Sequence, residues 1–215
     1  YDAFEFHLVY HQLVQYAAAD LSSFYLDVLK DRLYCDAAAG QRRRSAQTVL
    51  HRVLESLVML MAPILSFTAE EIWQVMPARP GKGESVFLET FAQTPPQPGA
   101  DELLARWERL IEIRRLVNKA LENAKGEIGK SLEAAVTMTA DAATCSFLAG
   151  FGEQIKDVFI VSAVEVREDP AAAAGPIVTV ARAPGVKCSR CWCWSTSLRT
   201  WLVLGAMNRL HPASN

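Results

Sequence analysis

The sequence predicts a mainly α-helical protein with a small α/β part toward its carboxyl end. Of its 215 residues 51% are hydrophobic and 21% are charged, a composition that supports a sizeable core. Apolar residues recur at helical spacing through residue 124, and the pattern then changes to the alternation typical of strands. A stretch rich in proline and glycine, residues 77–100, connects two helical regions.

Residues 1 to about 76 are predicted to form a helical bundle. The first helix has an apolar stripe at helical spacing: Phe6, Val9, Leu13 and Tyr16. Asp20 is expected to cap a second helix, because its carboxylate can accept from free backbone N–H groups. Ser45 is expected to open a third helix, and Thr68 starts a capping-box pattern for a fourth.

The connector is followed by a long helix and then by strands. Asp101 is expected to cap the long helix, and residues 86–88 are expected to touch the core. A short helix is predicted at residues 142–151. The predicted strands are residues 132–139, 158–166 and 177–180, which alternate or are rich in valine and isoleucine.

Positive charge is local, since the net charge of the chain is −2. Residues 30–52 contain only two acids, Asp31 and Asp36. The cations of this stretch are Lys30, Arg32, Arg42, Arg43, Arg44 and Arg52. Guanidinium groups offer planar forks of donors that suit phosphates, so the stretch is a candidate nucleic-acid contact. A solvated helix end is the competing interpretation.

Two further stretches are basic. Arg114 has Arg115 and Lys119 close to it, although neighbouring glutamates favour pairing within the helix as an alternative. Residues 177–215 contain five lysines or arginines and no acid, together with aromatic residues. Such a composition suits nucleic acid, because bases stack on aromatic rings while cations meet phosphates.

The motif KCSRCW, residues 187–192, contains a CxxC turn that is half of a tetrahedral zinc knuckle. Structural zinc requires four ligands, and the nearby substitutes for a second cysteine pair are Cys193 and His211. We therefore expect no tight zinc site, although zinc is the candidate cofactor. The competing interpretation is a small redox protein that uses Cys188 and Cys191.

The cysteines also indicate the compartment. Five cysteines, three of them crowded into residues 188–193, do not resemble a secreted disulfide framework and favour the reduced cytoplasm. We expect no signal peptide and no membrane-spanning segment. No catalytic residue is predicted, because the sequence contains no recognisable catalytic constellation.

Several segments together resemble bacterial-type isoleucyl-tRNA synthetases. In the order expected for that family they are residues 20–34, 43–48, 62–73, 85–89, 117–122, 128–134 and 187–192. The resemblance runs from the first residue to Trp192. Synthetases for valine, leucine and methionine share the helical bundle and stay an alternative, whereas the terminal Cys-x-Arg-Cys-Trp pattern points to isoleucine.

The resemblance implies three regions. Residues 1–98 would be an anticodon-binding bundle and connector, residues 99–185 a junction helix with a small α/β subdomain, and residues 186–215 an incomplete zinc-knuckle tail. The family joins isoleucine to its tRNA with ATP and magnesium, and edits mischarged valine. Its nucleotide-binding signatures lie upstream, so we expect this chain alone neither to activate isoleucine nor to edit.

The resemblance also implies partners and site residues. The expected partners are isoleucine tRNA, bound at its anticodon stem-loop, and the upstream catalytic domain. Cys188 and Cys191 match zinc ligands, whereas Arg190 and Trp192 match anticodon contacts, with the indole stacking on a base. The full RNA-binding set is Lys30, Arg32, Arg42, Arg43, Arg44, Arg114, Arg190 and Trp192. A helical protein-interaction module with solvated arginines is the alternative outside the family.

Overall fold

The computed structural model describes residues 1–91, 97–189 and 191–196. They belong to two units: Tyr1–Asp27 with Ala38–Pro96, and Val28–Ala37 with Gln97–Asn215. The first unit is helical, and the second combines helices with a small sheet. The predicted fold class is therefore confirmed, while the predicted boundaries after residues 98 and 185 stay predictions. Within the described ranges, no helix is long and apolar enough to cross a membrane.

The first unit consists of helices joined by short turns. Its elements are α1 (Phe6–Gln15), a π-helix (Tyr16–Tyr25), the start of α2 (Leu26–Cys35), α3 (Gln41–Met61), α4 (Ser66–Val75) and a 3₁₀ turn (Val86–Leu88). The rest of α2 belongs to the second unit. This arrangement confirms the helical region predicted for residues 1 to about 76.

Trp73 is the centre of the first unit's core and is completely buried. It lies among Val58, Met59, Ala62, Ala69, Met76 and Val86. Its indole N–H donates to the Gly83 carbonyl at 3.0 Å. The Lys82 ammonium donates to the Trp73 carbonyl at 2.7 Å, at the end of α4. These contacts fasten the connector to α4, and the predicted core contact of residues 86–88 is confirmed for Val86.

The predicted cap at Asp20 is wrong, because Asp20 lies inside the π-helix. The Ser23 hydroxyl donates to the Ala18 carbonyl, five residues earlier, at 2.6 Å. The wider helix joins α1 to α2 without a break, so no free helix start exists at Asp20. In the predicted stripe of α1, Val9 is half-buried but Phe6 is exposed.

Three predicted helix starts are also wrong, namely those at Ser45, Thr68 and Asp101. The helix α3 begins at Gln41 rather than at Ser45, directly after the extended residue Gly40. The helix α4 begins at Ser66, so Thr68 is an internal residue.

The helix α5 (Ala100–Asn123) follows Gly99 rather than Asp101. Gly99 has φ of 74°, a left-handed conformation that glycine adopts without a steric penalty. Asp101 instead lies in the first turn, where its charge interacts favourably with the helix dipole. The chain begins α3, α4 and α5 without a side-chain cap, which is why cap patterns misplace them.

The second unit contains a three-stranded sheet in the order β2–β1–β3. The strands are β1 (Ala134–Ala140), β2 (Ala163–Glu168) and β3 (Ile177–Arg182), and the helices are α5, α6 (Ala142–Ala149) and α7 (Gln154–Phe159). The central strand β1 is parallel to β2 and antiparallel to β3. Buried and half-buried residues alternate along β1, as its sequence pattern predicts.

The strand predicted at residues 158–166 is only partly correct. Val158 and Phe159 end α7, and β2 starts at Ala163. Both residues are buried apolar side chains, and a short apolar run does not by itself distinguish a helix from a strand. The other predicted strands and the helix at residues 142–151 are confirmed to within two residues at each end.

The carboxylate of Glu70 ties α4 to the connector and provides a pH test. It accepts from Gln74 at 2.6 Å, from the Ser85 hydroxyl at 2.8 Å and from the Val86 N–H at 3.0 Å. The hydrogen bond from Gln74 is the largest cause that lowers the pKa of Glu70 below its ordinary value of 4.5. The charged form therefore stabilises the fold above pH 4.5, and this contribution is lost as pH falls through the lower folded pKa.

We predict that Glu70→Gln lowers the Tm at pH 7 and that the difference from wild type shrinks below pH 4.5. Thermal unfolding followed by tryptophan fluorescence across pH measures both values. Glu71→Gln, an exposed neighbour on the same helix, is the matched control and should change the Tm little. An equal loss of Tm at pH 7 and pH 3 would show that the charge of Glu70 is not the cause.

Candidate nucleic-acid interface

Three arginines occupy the first turn of α3, a helix of 21 residues. Arg42 and Arg44 are exposed and Arg43 is half-buried. The first turn contains no acid, and Gly40 provides no side-chain cap. The amino end of a helix is the positive end of its dipole, so each cation there costs about 0.3–1 kcal/mol. The arginines and the dipole add to one positive field that attracts an anion.

The predicted contacts on α2 lie in the second unit. Lys30 is exposed. The Arg32 Nη2 atom is 3.9 Å from Oδ2 of Asp157 on α7, and both side chains are mostly buried. Arg32 therefore holds α2 against α7.

Arg114 makes a similar contact from α5. Its Nε donates to the Val158 carbonyl at 2.9 Å, next to the residue that Arg32 meets. Two of the predicted RNA-binding arginines, Arg32 and Arg114, thus contact adjacent residues of α7. Both side chains connect helices within this unit, and their contact with RNA stays a prediction.

The CxxC motif lies in a small hairpin formed by β4 (Val186–Lys187) and β5 (Trp194–Ser195). The Cys188 N–H donates to the Cys193 carbonyl at 2.8 Å, and the Trp192 N–H donates to the Cys188 carbonyl at 3.0 Å. Trp192 is 58% exposed and has φ of 64°. A left-handed backbone is uncommon for a bulky residue, so the hairpin holds this indole in a strained, exposed position. Arg190 and His211 lie outside the described residues.

The three cysteines of the hairpin line one pocket of about 230 Å³. The Cys193 sulfur is 3.8 Å from the Cys191 carbonyl oxygen. A hydrogen bond from the Cys193 thiol lowers the pKa of Cys191 to about 6, and the same bond together with burial raises the pKa of Cys193. Cys188 and Cys191 form a hairpin turn and do not open a helix, in contrast to the thioredoxin-like arrangement that a redox CxxC requires.

The candidate zinc donors within the described part of the hairpin are its three thiols. Structural zinc takes four ligands, usually thiolate or imidazole. Among the described residues, no group of three or more Cys, His, Asp or Glu side chains is placed to hold a metal ion. The thiol of Cys193 is directed toward Cys191, which leaves Cys188 and Cys191 as the predicted pair.

Comparison with known proteins identifies the fold family. Residues 1–139 match the family described as the anticodon-binding domain of tRNA ligase. This chain belongs to that family. The matched residues include α1 to α5 and β1, and so contain the arginines at the start of α3.

Longer relatives of this anticodon-binding domain protein carry the name isoleucine–tRNA ligase. The protein from Geobacter sulfurreducens is 44% identical over 201 residues, covering 89% of this chain. The one from Syntrophotalea carbinolica is 45% identical over 207 residues, covering 92%. This chain spans only 22% of the length of each. The resemblance to isoleucyl-tRNA synthetases is confirmed.

The sequence patterns missed several residues that shape this anticodon-binding domain protein. Asp157 was not expected to receive Arg32, and Ser162 was not expected to bond to the hairpin. Ser162 meets Trp194 across 32 residues of sequence, and no local pattern signals a contact of that range. The CxxC motif predicted a turn at this place but not the two short strands that flank it.

Proposed function

We propose that this chain binds the anticodon arm of isoleucine tRNA as the carboxyl-terminal part of an isoleucine–tRNA ligase. The observation that carries the proposal is the arginine triplet in the first turn of α3, inside the matched residues 1–139. Three cations at the positive end of a helix dipole reduce the stability of the helix. A bound phosphate offsets this effect, because it neutralises the arginines and is attracted by the positive end of the helix dipole.

Phosphate contacts position a protein on nucleic acid but do not read its sequence. In the proposal, Arg42, Arg43 and Arg44 supply this positioning. Their guanidinium forks bind phosphate oxygens in pairs, which lysine does not do. Local cations are sufficient although the chain is slightly acidic overall, because binding depends on the counterions released at the contact.

Trp192 supplies base recognition in the proposal. RNA loops present unstacked bases, and proteins bind them by stacking aromatic rings on their faces. The indole of Trp192 is exposed, and two backbone hydrogen bonds fix the turn that presents it. A fixed backbone turn loses little conformational entropy on binding, which favours affinity.

The proposal for the complete ligase adds a catalytic domain and its substrates. We propose that an upstream catalytic domain of the same polypeptide binds ATP and magnesium and joins isoleucine to the tRNA, in the cytoplasm. The names of the relatives support isoleucine as the amino acid. The terminal CxxC-Trp hairpin supports isoleucine over the valine, leucine and methionine enzymes, in keeping with the sequence resemblance.

The first prediction concerns anticodon specificity. The full chain should bind isoleucine tRNA about tenfold more tightly than the same tRNA with a replaced anticodon, because each lost base contact costs about 1–3 kcal/mol. Fluorescence anisotropy with the two labelled tRNAs measures the ratio at one fixed salt concentration. Equal affinities would remove the claim of anticodon recognition.

The second prediction concerns the arginine triplet. Arg42→Ala with Arg44→Ala should weaken tRNA binding roughly tenfold and reduce the slope of log affinity against log salt by about 1 to 2. The double variant should still unfold cooperatively, so that the loss of affinity reports the lost contact rather than misfolding. Both values come from anisotropy titrations between 50 and about 200 mM salt, together with thermal unfolding.

A matched control removes two cations that lie outside α3. Arg167 lies 2.9 Å from Glu165, and Lys125 lies 3.2 Å from Glu122. Arg167→Ala with Lys125→Ala changes the net charge equally but should leave the salt slope unchanged. An equal effect of both double variants would show that net charge, rather than the α3 site, determines binding.

The third prediction separates the contribution of the Trp192 indole to RNA binding from the strain of the Trp192 backbone. Trp192→Gly removes the side chain and relieves the positive φ, so the Tm should stay equal or rise. Affinity for isoleucine tRNA should fall roughly 5- to 100-fold, since stacking one base is worth about 1–3 kcal/mol. Trp192→Phe keeps an aromatic face and should retain most of the affinity. Unchanged binding by Trp192→Gly would exclude Trp192 from the interface.

A further inference from the structure

We infer that protein contacts, rather than a bound metal ion, hold the hairpin of β4 and β5 in place, and that Ser162 is the residue that positions it. The resemblance to the synthetase family implies a zinc module at this hairpin. The described cysteines do not form a metal-binding group, whereas the Trp194 N–H of the hairpin donates to the Ser162 hydroxyl, directly before β2. The inference about the fold of the hairpin does not depend on RNA binding, but its use in presenting Trp192 rests on the proposed function.

The hairpin closes through its own backbone. Val186 pairs with Ser195 and Lys187 with Trp194. Beyond these two strand pairs, the Cys188 N–H donates to the Cys193 carbonyl, and the Trp192 N–H donates to the Cys188 carbonyl. These bonds close the turn around the CxxC motif. In a zinc knuckle the metal supplies much of the folding free energy, but none of these four pairings needs a metal ligand.

Ser162 joins the hairpin to the sheet with one hydroxyl. Its Oγ donates to the Leu132 carbonyl at 2.5 Å and accepts from the Trp194 N–H at 2.7 Å. Leu132 precedes β1, Ser162 precedes β2, and Trp194 is in β5. A hydroxyl donates once and accepts twice, so serine or threonine can bridge a carbonyl and an amide here, whereas alanine leaves both without this partner.

Two further contacts orient the same strand. The Arg182 guanidinium lies 5.1 Å from the centre of the Trp194 ring and 3.8 Å from the Glu133 carboxylate. Gly185 has φ of 98°, and a Cβ on it would overlap the backbone carbonyl of Ser195. The return strand therefore crosses directly over the Gly185 backbone, which only glycine permits. Together with Ser162, these contacts connect the hairpin to β1, β2 and β3.

Hydrogen exchange of the full chain, followed by mass spectrometry of peptides covering residues 186–196, tests the inference without RNA. Protection should be the same in EDTA and in equimolar zinc, and Cys188→Ser with Cys191→Ser should also keep it. Ser162→Ala should speed exchange in this segment about five- to tenfold, while β1 keeps its protection. Ser162→Thr, which retains the hydroxyl, should restore slow exchange.

Two glycine variants extend the test to the strand crossing. Gly185→Ala should speed exchange of the same peptides, because the added Cβ displaces Ser195. Gly152→Ala is the matched control: Gly152 also has positive φ, but a Cβ there would meet no atom within 4 Å. Faster exchange in EDTA or in the double cysteine variant, reversed by zinc in the first case, would overturn the inference. Unchanged exchange in Ser162→Ala would remove Ser162 as the positioning residue, even if that protein binds tRNA normally.

Discussion

The short helix α7 is the element on which the second unit depends, because three consecutive residues connect it to three different places. Lys156 lines the pocket of the cysteines, Asp157 meets Arg32 on α2, and the Val158 carbonyl accepts from Arg114 on α5. The Arg32–Asp157 pair is mostly shielded from water, so its two charges interact in a lower dielectric than a surface pair does. Ile160 follows with φ of 56° and turns the chain toward β2. A displacement of α7 would therefore disturb both helices and the hairpin together.

The arginines of this chain serve two different purposes, which composition alone does not separate. Some connect elements, as Arg114 does through Val158 and Arg182 through Glu133 and Trp194. Others crowd the positive end of a helix dipole, as Arg42, Arg43 and Arg44 do in the first turn of α3. A sequence usually agrees with its fold at every level and departs from that agreement at functional sites. By this criterion the α3 triplet is the stronger candidate for RNA, and Arg114 is the weaker one.

Sequence patterns predicted the fold class and the alternating strand β1, because burial on one face imposes a period that is readable locally. They misplaced the starts of α3 and α5, where backbone geometry at Gly40 and Gly99, rather than a side-chain cap, sets the boundary. They predicted Trp192 from its motif but not its positive φ. Sequence patterns did not predict the hydrogen bond between Ser162 and Trp194, because it depends on how the sheet brings distant residues together.

The strained backbone of Trp192 requires that the hairpin be anchored. A bulky residue stays in a left-handed conformation only when its surroundings fix it, since relaxation would otherwise release the strain. A two-stranded hairpin of this size is marginal alone in water. The Ser162 hydroxyl attaches it to the sheet region, and the close crossing at Gly185 holds its two ends together. The backbone that carries the exposed indole is therefore preorganised, which lowers the ordering cost that binding a base would otherwise incur.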